Sequence, residues 1–224
     1  MKKLALLVVL VGSIAFAQEP ITKKLGDFNT LKVFNGLTVK LHKADKPTIV
    51  ITGSKADDVS VKNSNGILKI QLKFPDSFTA DDVTITINYS EKIGTLDANE
   101  GAIIKSDEPI IQQQLEVKAQ EGAKINIPIE VKYLTIKSVS GGIIKLTGTT
   151  QNQNIEATTG GIYKGYDVKS KQTTALAASG AVVKVNTSEV LDAKVRFGGT
   201  IFYKGTPEVL KTKKIIGGTI KNKN

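Results

Sequence analysis

A short turn that contains glycine recurs along the C-terminal part of the chain at an almost constant interval. In its clearest copy, Ser140-Gly141-Gly142 separates two short apolar segments. The first glycine of each copy is Gly101, Gly122, Gly141, Gly160, Gly180, Gly198 and Gly217. The spacings between these glycines are 21, 19, 19, 20, 18 and 19 residues. A fixed period of about 19 residues predicts a solenoid, in which each repeat is one coil of the chain.

Aligning the copies on this glycine reveals columns of similar side chains. The residue directly after it is small in every copy: Ala102, Ala123, Gly142, Gly161, Ala181, Gly199 and Gly218. The third residue after it is large: Ile104, Ile125, Ile144, Tyr163, Val183, Ile201 and Ile220. Since alternate residues of a strand share one face, these columns predict an inward face that is narrow at the corner and wider beyond it.

We therefore predict an all-β fold, a parallel β-helix whose coils stack at about 4.8 Å and cover one another's apolar faces. The alternative is a series of ordinary antiparallel hairpins. Hairpins do not require the same column to be apolar in every copy, so the solenoid is favoured. Residues 93–221 would form the regular coils, and residues 18–92 the irregular leading coils and cap of the same solenoid domain. A separate N-terminal β-domain that ends near Lys92 is the competing boundary.

One copy departs from the columns. Tyr163 stands where most copies have Ile or Val, and Gly165 replaces the large residue two positions further on. We interpret the pair as complementary packing, in which the ring fills the space that glycine leaves and the hydroxyl reaches an edge. A ligand pocket is the alternative interpretation.

Several phrases of the chain resemble a known family. They are FNTLKVFNGLTV at residues 28–39, IFYKGTP at 201–207, GGTIK at 217–221 and the Ser-Gly-Gly and Thr-Gly-Gly corners. These residues are similar to the auto-transporter adhesin "head GIN" domain family of exported bacterial proteins, and the resemblance covers nearly all of the chain after residue 17. It implies a single-stranded right-handed β-helix of two sheets, similar to pectin-lyase-type solenoids but without their catalytic residues. It also implies a function in cell adhesion.

The N-terminus has the three parts of a secretory signal peptide: Lys2 and Lys3, the apolar residues 4–11, and Ala15-Phe16-Ala17 before Gln18. The apolar run is shorter than the roughly 20 residues that a membrane span needs. We predict cleavage after Ala17 and an exported protein, periplasmic, secreted or at the cell surface, without a membrane span. The chain has no cysteine, so we expect no disulfide, no thiolate metal site and no lipoprotein anchor.

The charge of the chain favours acidic partners. The formal net charge is +10, and it falls to +8 once Lys2 and Lys3 leave with the signal peptide. Intracellular nucleic acid is not expected as a partner, because Arg196 is the only arginine and the protein is exported. Basic residues recur four positions after the corner glycine, on the outward face: Lys105, Lys145, Lys164, Lys184 and Lys221. Such a row is either a solvated face that discourages aggregation or a linear binding site for an anionic glycan or cell-surface component.

Residues suited to catalysis are sparse. The only histidine, His42, stands at a strand end without a partner cluster, so we predict no catalytic residues and no cofactor. Asp97, Glu100 and Glu121 would meet near two stacked corners if they bound calcium, which takes six to eight oxygen ligands, but we expect no metal.

Three functions therefore stay open. The favoured one is a non-enzymatic, exported adhesin-like or envelope-associated binding protein that presents a long β-helix surface. The second is a carbohydrate-active enzyme of the polysaccharide lyase or hydrolase kind. The third is a structural envelope protein that self-associates through the last coil, which only residues 221–224 shield.

Overall fold

The computed structural model describes residues 19–73 and 83–224, so the predicted signal peptide, residues 1–17, lies outside the described residues. The leading strands are β1 (Ile21–Lys24), β2 (Thr30–Val33), β3 (Thr38–Lys43), β4 (Thr48–Thr52), β5 (Val59–Ser64), β6 (Ile67–Leu72) and β7 (Thr84–Tyr89), with a 3-10 turn at Ala56–Asp58. The remaining strands are β8 (Thr95–Ala98), β9 (Ile103–Ser106), β10 (Ile110–Ala119), β11 (Lys124–Ser138), β12 (Ile143–Ala157), β13 (Ile162–Ala178), β14 (Val182–Arg196), β15 (Thr200–Lys204), β16 (Val209–Ile215) and β17 (Thr219–Asn222). In these two ranges, no helix has the length and apolar character needed to cross a membrane.

Each of the four central coils, β11 to β14, is one long strand that starts after a glycine corner and bends once. In β11, alternate residues from Ile125 to Val131 are buried. The alternation breaks at Lys132 and Tyr133, which are both exposed, and it resumes at Leu134. We call this break the second corner. A coil must return to its starting point displaced by one strand spacing, so the chain has to turn here as well as at the glycine corner.

Neighbouring coils pair in parallel, so that equivalent residues lie over one another. Ile125 lies between Ile104 and Ile144 in the backbone register. The column continues through Tyr163, Val183, Ile201 and Ile220. Its members from Ile104 to Ile201 are at most 1% exposed. The predicted all-β solenoid with coils of about 19 residues is confirmed, and the antiparallel-hairpin alternative is wrong for these coils.

The leading strands join the same stack in a different chain order. β2 and β3 pair in parallel with β8 and β9, which places Leu31 beside Leu96 and Val39 beside Ile104. On their other side, β2 and β3 pair in parallel with β6 and β7. β4 then adds antiparallel to β7, β1 to β4, and β5 to β6. The N-terminal end of the stack is therefore covered by antiparallel strands. The predicted domain boundaries stay a prediction.

Two consecutive residues with positive φ form each glycine corner. Ser140 and Gly141 have φ values of 50° and 74°, and the N–H of Gly142 donates to the carbonyl oxygen of Val139 at 2.9 Å. The N–H of Gly141 donates to the carbonyl oxygen of Thr159 in the next coil at 3.1 Å. The same bond joins Gly36 to Glu100, Gly101 to Glu121, Gly122 to Ser140 and Gly160 to Ser179. Glycine is favoured here because it has no Cβ to clash at positive φ.

Asn35 and Gly36 form a corner of the same kind, although they lie outside the regular sequence period. Their φ values are 57° and 69°, and the Asn35 amide donates to Glu100, a residue 65 positions later, at 2.6 Å. Along the chain, strands β3 to β8 lie between this corner and the next one in the stack, Glu100–Gly101. The corner is therefore stacked one coil from the next corner in space, although the two are much further apart in sequence than the usual 19 residues.

The small residues that follow the corner are required by the close approach of the preceding coil. A Cβ added to Gly142 would lie 2.1 Å from the carbonyl oxygen of Ala119. At Gly161 the corresponding distance to the carbonyl oxygen of Ser138 is 2.0 Å. These oxygens belong to the backbone and cannot rotate away, so a larger residue would have to push the two coils apart.

We predict that Gly142→Ala lowers the free energy of unfolding by about 1–3 kcal/mol, because overpacking forces a backbone shift. Urea denaturation followed by circular dichroism measures this change. Gly26→Ala is the control: its added Cβ would meet only Asn63, at 3.5 Å, and its effect should stay below about 0.5 kcal/mol. Equal stability of the Gly142→Ala variant and the wild type would contradict the close approach.

Tyr163 packs as predicted, but its hydroxyl does not reach an edge. A Cβ on Gly165 would lie 2.3 Å from Cζ of the Tyr163 ring, so the ring fills the space that glycine leaves. The hydroxyl donates to Oε1 of buried Gln153 at 3.1 Å, and the Gln153 amide donates to the hydroxyls of Ser170 and Thr173, each at 2.9 Å. Burial raises the pKa of the Tyr163 phenol. The core therefore contains a hydrogen-bonded polar network near the second corner.

Removing the Tyr163 hydroxyl should destabilise the protein. Tyr163→Phe takes the donor away from Gln153 Oε1 inside the core, which should cost about 1–3 kcal/mol of unfolding free energy. Tyr133→Phe is the matched control, because the Tyr133 side chain is 44% exposed. The urea midpoints of both variants measure the effect. Indistinguishable midpoints would show that the buried hydrogen bond contributes nothing.

The C-terminal end of the stack is open. β16 pairs with β14 and β17 pairs with β15, and among the described strands neither has a partner on its other side. The large apolar side chains exposed near this end are Phe197, Val209, Leu210 and Ile216. Lys211, Lys213 and Lys214 accompany them on β16. Self-association through this end stays a prediction.

Candidate binding surface

The lysines that recur after the glycine corner form one outward row. The parallel register places Lys164 between Lys145 and Lys184. In order along the stack, the row is Lys105, Asn126, Lys145, Lys164, Lys184, Phe202 and Lys221. Successive side chains of a strand point to opposite faces. Ile144 is buried, so its neighbour Lys145 points outward. We call this set the lysine row; ligand binding by it stays a prediction.

Lys40 extends the lysine row toward the N-terminal cap. Lys40 on β3 pairs in register with Lys105 on β9. Its Nζ lies 2.6 Å from Oδ2 of Asp107. The sequence analysis missed Lys40 because β3 precedes the regular period, and only the parallel pairing of β3 with β9 brings it into line.

The ammonium groups of Lys145 and Lys164 differ from that of Lys184 in their contacts. In the described ranges, neither side chain makes an ion pair, a hydrogen bond or a ring contact. The Nζ of Lys184 instead lies 5.8 Å from the centre of the Tyr166 ring, and the Nζ of Lys204 lies 5.1 Å from the same ring centre. Unit charges about 4.8 Å apart in water repel by roughly 0.9 kcal/mol before salt screening. An anion placed between two such groups would relieve this repulsion.

A half-buried aliphatic strip borders the lysine row. Ile143, Ile162 and Val182 stack in register on successive coils. Each lies two residues before a lysine of the row and shares its outward face. A ligand on the row would therefore meet ammonium groups on one side and aliphatic side chains on the other.

His42 has a partner that the sequence analysis did not find. Its Nδ1 lies 3.1 Å from Oε1 of Glu108, and the two side chains are 52% and 48% exposed. His42 therefore has a single carboxylate partner, which the sequence does not reveal. The reason is that Glu108 follows β9, which is distant in sequence but stacks on β3. The pair lies next to Lys40 and Asp107 on open surface.

The Lys40–Asp107 pair allows a test of the surface charges by titration. A hydrogen bond from Lys40 and its charge hold the pKa of Asp107 below the ordinary value of 3.8. A carboxyl with a lowered pKa favours the folded state above its unfolded pKa, and that contribution is lost as the pH falls through the folded value. NMR titration should therefore give a midpoint below 3.8 for Asp107, and Lys40→Gln should return it toward 3.8. A wild-type midpoint at the ordinary value would contradict the pair.

In the part of the chain that the structure describes, the acidic residues near the stacked corners form no calcium site. Across residues 19–73 and 83–224, no three acidic, histidine or cysteine side chains are arranged to hold a metal ion. Asp97 is 7% exposed and accepts a hydrogen bond from the Asn99 amide at 3.0 Å. Glu100 accepts one from the Asn35 amide at 2.6 Å. The corner carboxylates thus bond to neighbouring amides, and Glu121 does not complete a site with them.

A second surface lies on the segments that follow the second corner. Outward residues of three successive coils pair in register, as Tyr133–Asn152–Gln172 and Thr135–Asn154–Thr174. They line a hollow of about 360 Å³, which continues past Tyr133 and Thr135 into a hollow of about 590 Å³ that Gln112 and Gln114 also line. We call this surface the amide groove; its residues are Gln112, Gln114, Tyr133, Thr135, Asn152, Asn154, Gln172 and Thr174.

The amide groove was not identified from the sequence. Its signal is a pair of uncharged polar or aromatic residues two apart at the same place in each coil, as in Tyr133-Leu134-Thr135 and Asn152-Gln153-Asn154. Alignment of the copies on glycine reveals columns of charged and of apolar residues. An uncharged polar column carries neither signal.

The stacked coils and their outward rows define a β-solenoid protein that presents long open surfaces. A family model described as "Putative auto-transporter adhesin, head GIN domain" matches residues 27–207. The chain belongs to this family, and the resemblance seen in the sequence is confirmed. No curated protein matches the chain.

Solved structures of similar proteins share the fold. A "putative adhesin" from Bacteroides fragilis has a TM-score of 0.84 at 20% identity, over 92% of this chain and 98% of that one. A "putative adhesin" from Parabacteroides merdae has a TM-score of 0.70 at 18% identity, over 92% of this chain and 96% of that one. A "putative lipid binding protein" from Parabacteroides distasonis has a TM-score of 0.69 at 20% identity, over 92% and 97%. At these identities the likeness establishes the fold.

Proposed function

We propose that this protein is an exported, non-enzymatic binding protein of the adhesin type, which holds a linear anionic glycan along the lysine row. One observation carries the proposal: the parallel register aligns Lys145, Lys164 and Lys184 on three successive coils. Two of these ammonium groups have no partner in the described part of the chain. Free, evenly spaced cations suit a ligand with evenly spaced anions.

A polymer fits the lysine row better than a small anion does. The row from Lys105 to Lys221 extends over seven coils at about 4.8 Å per coil, with lysine on five of them, and it lies on an open sheet face. A single carboxylate or sulfate would meet one or two ammonium groups in water, where each exposed contact contributes roughly 0.2–1 kcal/mol. A polymer makes many such contacts at once. When one of its anionic groups is bound, the next anionic group is held close to the next lysine of the row.

The proposal includes export from the cell and a function in adhesion. Residues 1–17 have the composition of a cleaved signal peptide, and the chain belongs to a family whose description names an adhesin. The chain would then act in the periplasm, at the cell surface or after secretion, where acidic polysaccharides are available. The non-enzymatic role is supported by the same family description and by the open surface around His42, the only histidine.

The test compares two triple variants that lose the same charge at different places. Lys145, Lys164 and Lys184 are changed together to Gln in one, and Lys211, Lys213 and Lys214 in the other. On immobilised alginate at low salt, the first variant should lose about 10- to 100-fold in affinity, because three exposed charge contacts at roughly 0.5–1 kcal/mol each are removed. The second variant should elute close to the wild type.

Equal elution of the two triple variants would overturn the proposal, since binding would then depend on net charge instead of the row. Release of reducing or unsaturated sugar products from alginate or polygalacturonate, with or without calcium, would favour the enzyme alternative. Unfolding midpoints of all three proteins should agree, because the substituted lysines lie on outward faces.

A further inference from the structure

The amide groove is uncharged on a protein that is otherwise rich in charge. Charged residues make up 23% of the chain. The two stacked columns that run from Tyr133 to Gln172 and from Thr135 to Thr174 contain none. The residue two positions after Thr135 is charged, Lys137, and so is its partner in the next coil, Glu156. The neutral character is therefore confined to the groove.

The polar side chains of these columns are not used to hold the fold together. Within residues 19–73 and 83–224, the side chains of Thr135, Asn152, Asn154, Gln172 and Thr174 form no hydrogen bond with another protein group. A ladder of stacked amides that stabilises neighbouring strands would bond from coil to coil. Their donors and acceptors are instead left for solvent or a ligand.

Gln153 shows the contrast within one strand. It lies between Asn152 and Asn154, points inward, is 3% exposed and bonds to Tyr163, Ser170 and Thr173. The inward amide is thus hydrogen-bonded within the core, whereas the two outward amides beside it have no hydrogen-bond partner among the described residues. The outward amides therefore require an explanation other than stability.

Tyr133 gives the groove an aromatic surface at its centre. Its side chain is 44% exposed, and it lines both hollows. The Nζ of Lys132 lies 5.4 Å from the centre of its ring. An aromatic ring that offers an apolar face next to polar groups can stack on the C–H face of a ligand ring.

We propose that the amide groove binds a neutral polysaccharide strand that runs along the stack. Sugar hydroxyls both donate and accept hydrogen bonds, as do side-chain amides and hydroxyls, and the Tyr133 ring would stack on a sugar ring. The columns from Tyr133 to Thr174 contain no charged residue. The charges at their border are Lys132, whose Nζ lies 5.4 Å from the centre of the Tyr133 ring, and Lys92 and Glu116, which line the outer hollow. This site is separate from the lysine row and does not depend on it.

The length of the groove favours an oligosaccharide over a single sugar. The groove crosses β10, β11, β12 and β13, and its register is continuous from Gln114 through Tyr133 and Asn152 to Gln172. Four strands at about 4.8 Å span roughly 14 Å. The Gln112 amide donates to the carbonyl oxygen of Ile93 at 2.8 Å. One bound strand would contact the remaining amides of Gln114, Asn152 and Gln172 on three coils at once.

Isothermal titration calorimetry with cellohexaose, xylohexaose, mannohexaose and laminarihexaose tests the proposal. At least one of these neutral glycans should bind, and Tyr133→Ala and Asn154→Asp should each weaken that binding by about tenfold or more, which corresponds to the loss of one good contact. Both positions are outward-facing, so circular dichroism and the unfolding midpoint should stay at the wild-type values.

The triple variant of Lys145, Lys164 and Lys184 to Gln is the matched control and should bind the neutral glycan as the wild type does. This control tests the two sites separately. The groove proposal can be correct while the lysine-row proposal is wrong, and the lysine-row proposal can be correct while the groove proposal is wrong. The groove proposal is overturned if none of the four hexaoses binds, or if Tyr133→Ala leaves the affinity unchanged. It is also overturned if sedimentation shows that the groove joins two copies of the chain, as a dimer that Tyr133→Ala dissociates.

Discussion

The parallel hydrogen-bonded register between coils is the constraint on which the rest of the structure depends. A coil of nearly constant length returns each residue to the position above its equivalent, so that Ile125 meets Ile144 and Lys145 meets Lys164. A one-residue slip along a strand would exchange the inward and outward faces. Apolar stacking inside the solenoid and the order of side chains outside it are therefore set by the same backbone pairing.

The stack absorbs local changes in coil length without losing that register. β13 has 17 residues, whereas β12 and β14 have 15 each. The pairing shifts between Lys145 and Thr147 and is restored further along both strands. The Tyr163 ring, Gly165 and the buried hydrogen bonds of Gln153 lie in this region. A bulged coil would leave uneven space in the core, and the large ring together with the polar network fills it.

The outward surfaces follow from the same geometry, and they differ in the chemistry they offer. The segments after the glycine corner carry a row of cations beside an aliphatic strip, whereas the segments after the second corner carry uncharged amides, hydroxyls and an exposed tyrosine. A solenoid turns one choice of side chain per coil into a line of equivalent groups. Such lines match polymers, whose own groups repeat at regular intervals.

The sequence by itself determined the period, the inward columns and the alignment of the lysines from Lys105 to Lys221, because these depend only on spacing along one chain. The corner glycines were predictable too, since the second of the two residues with positive φ is glycine in every corner. The N-terminal order was not predictable: Lys40 and the Asn35–Gly36 corner join the stack through residues more than sixty positions away.

Only the tertiary structure decided which polar groups are used and which are free. Gln153 and Asn154 are neighbours of similar chemistry, yet one is bonded in the core and the other faces solvent. Likewise, Glu108 meets His42 and Asn35 meets Glu100 only because distant strands stack. Hydrogen bonds and ion pairs depend on distances of a few ångströms between separate coils, and a repeat pattern along the chain specifies the coil without specifying those contacts.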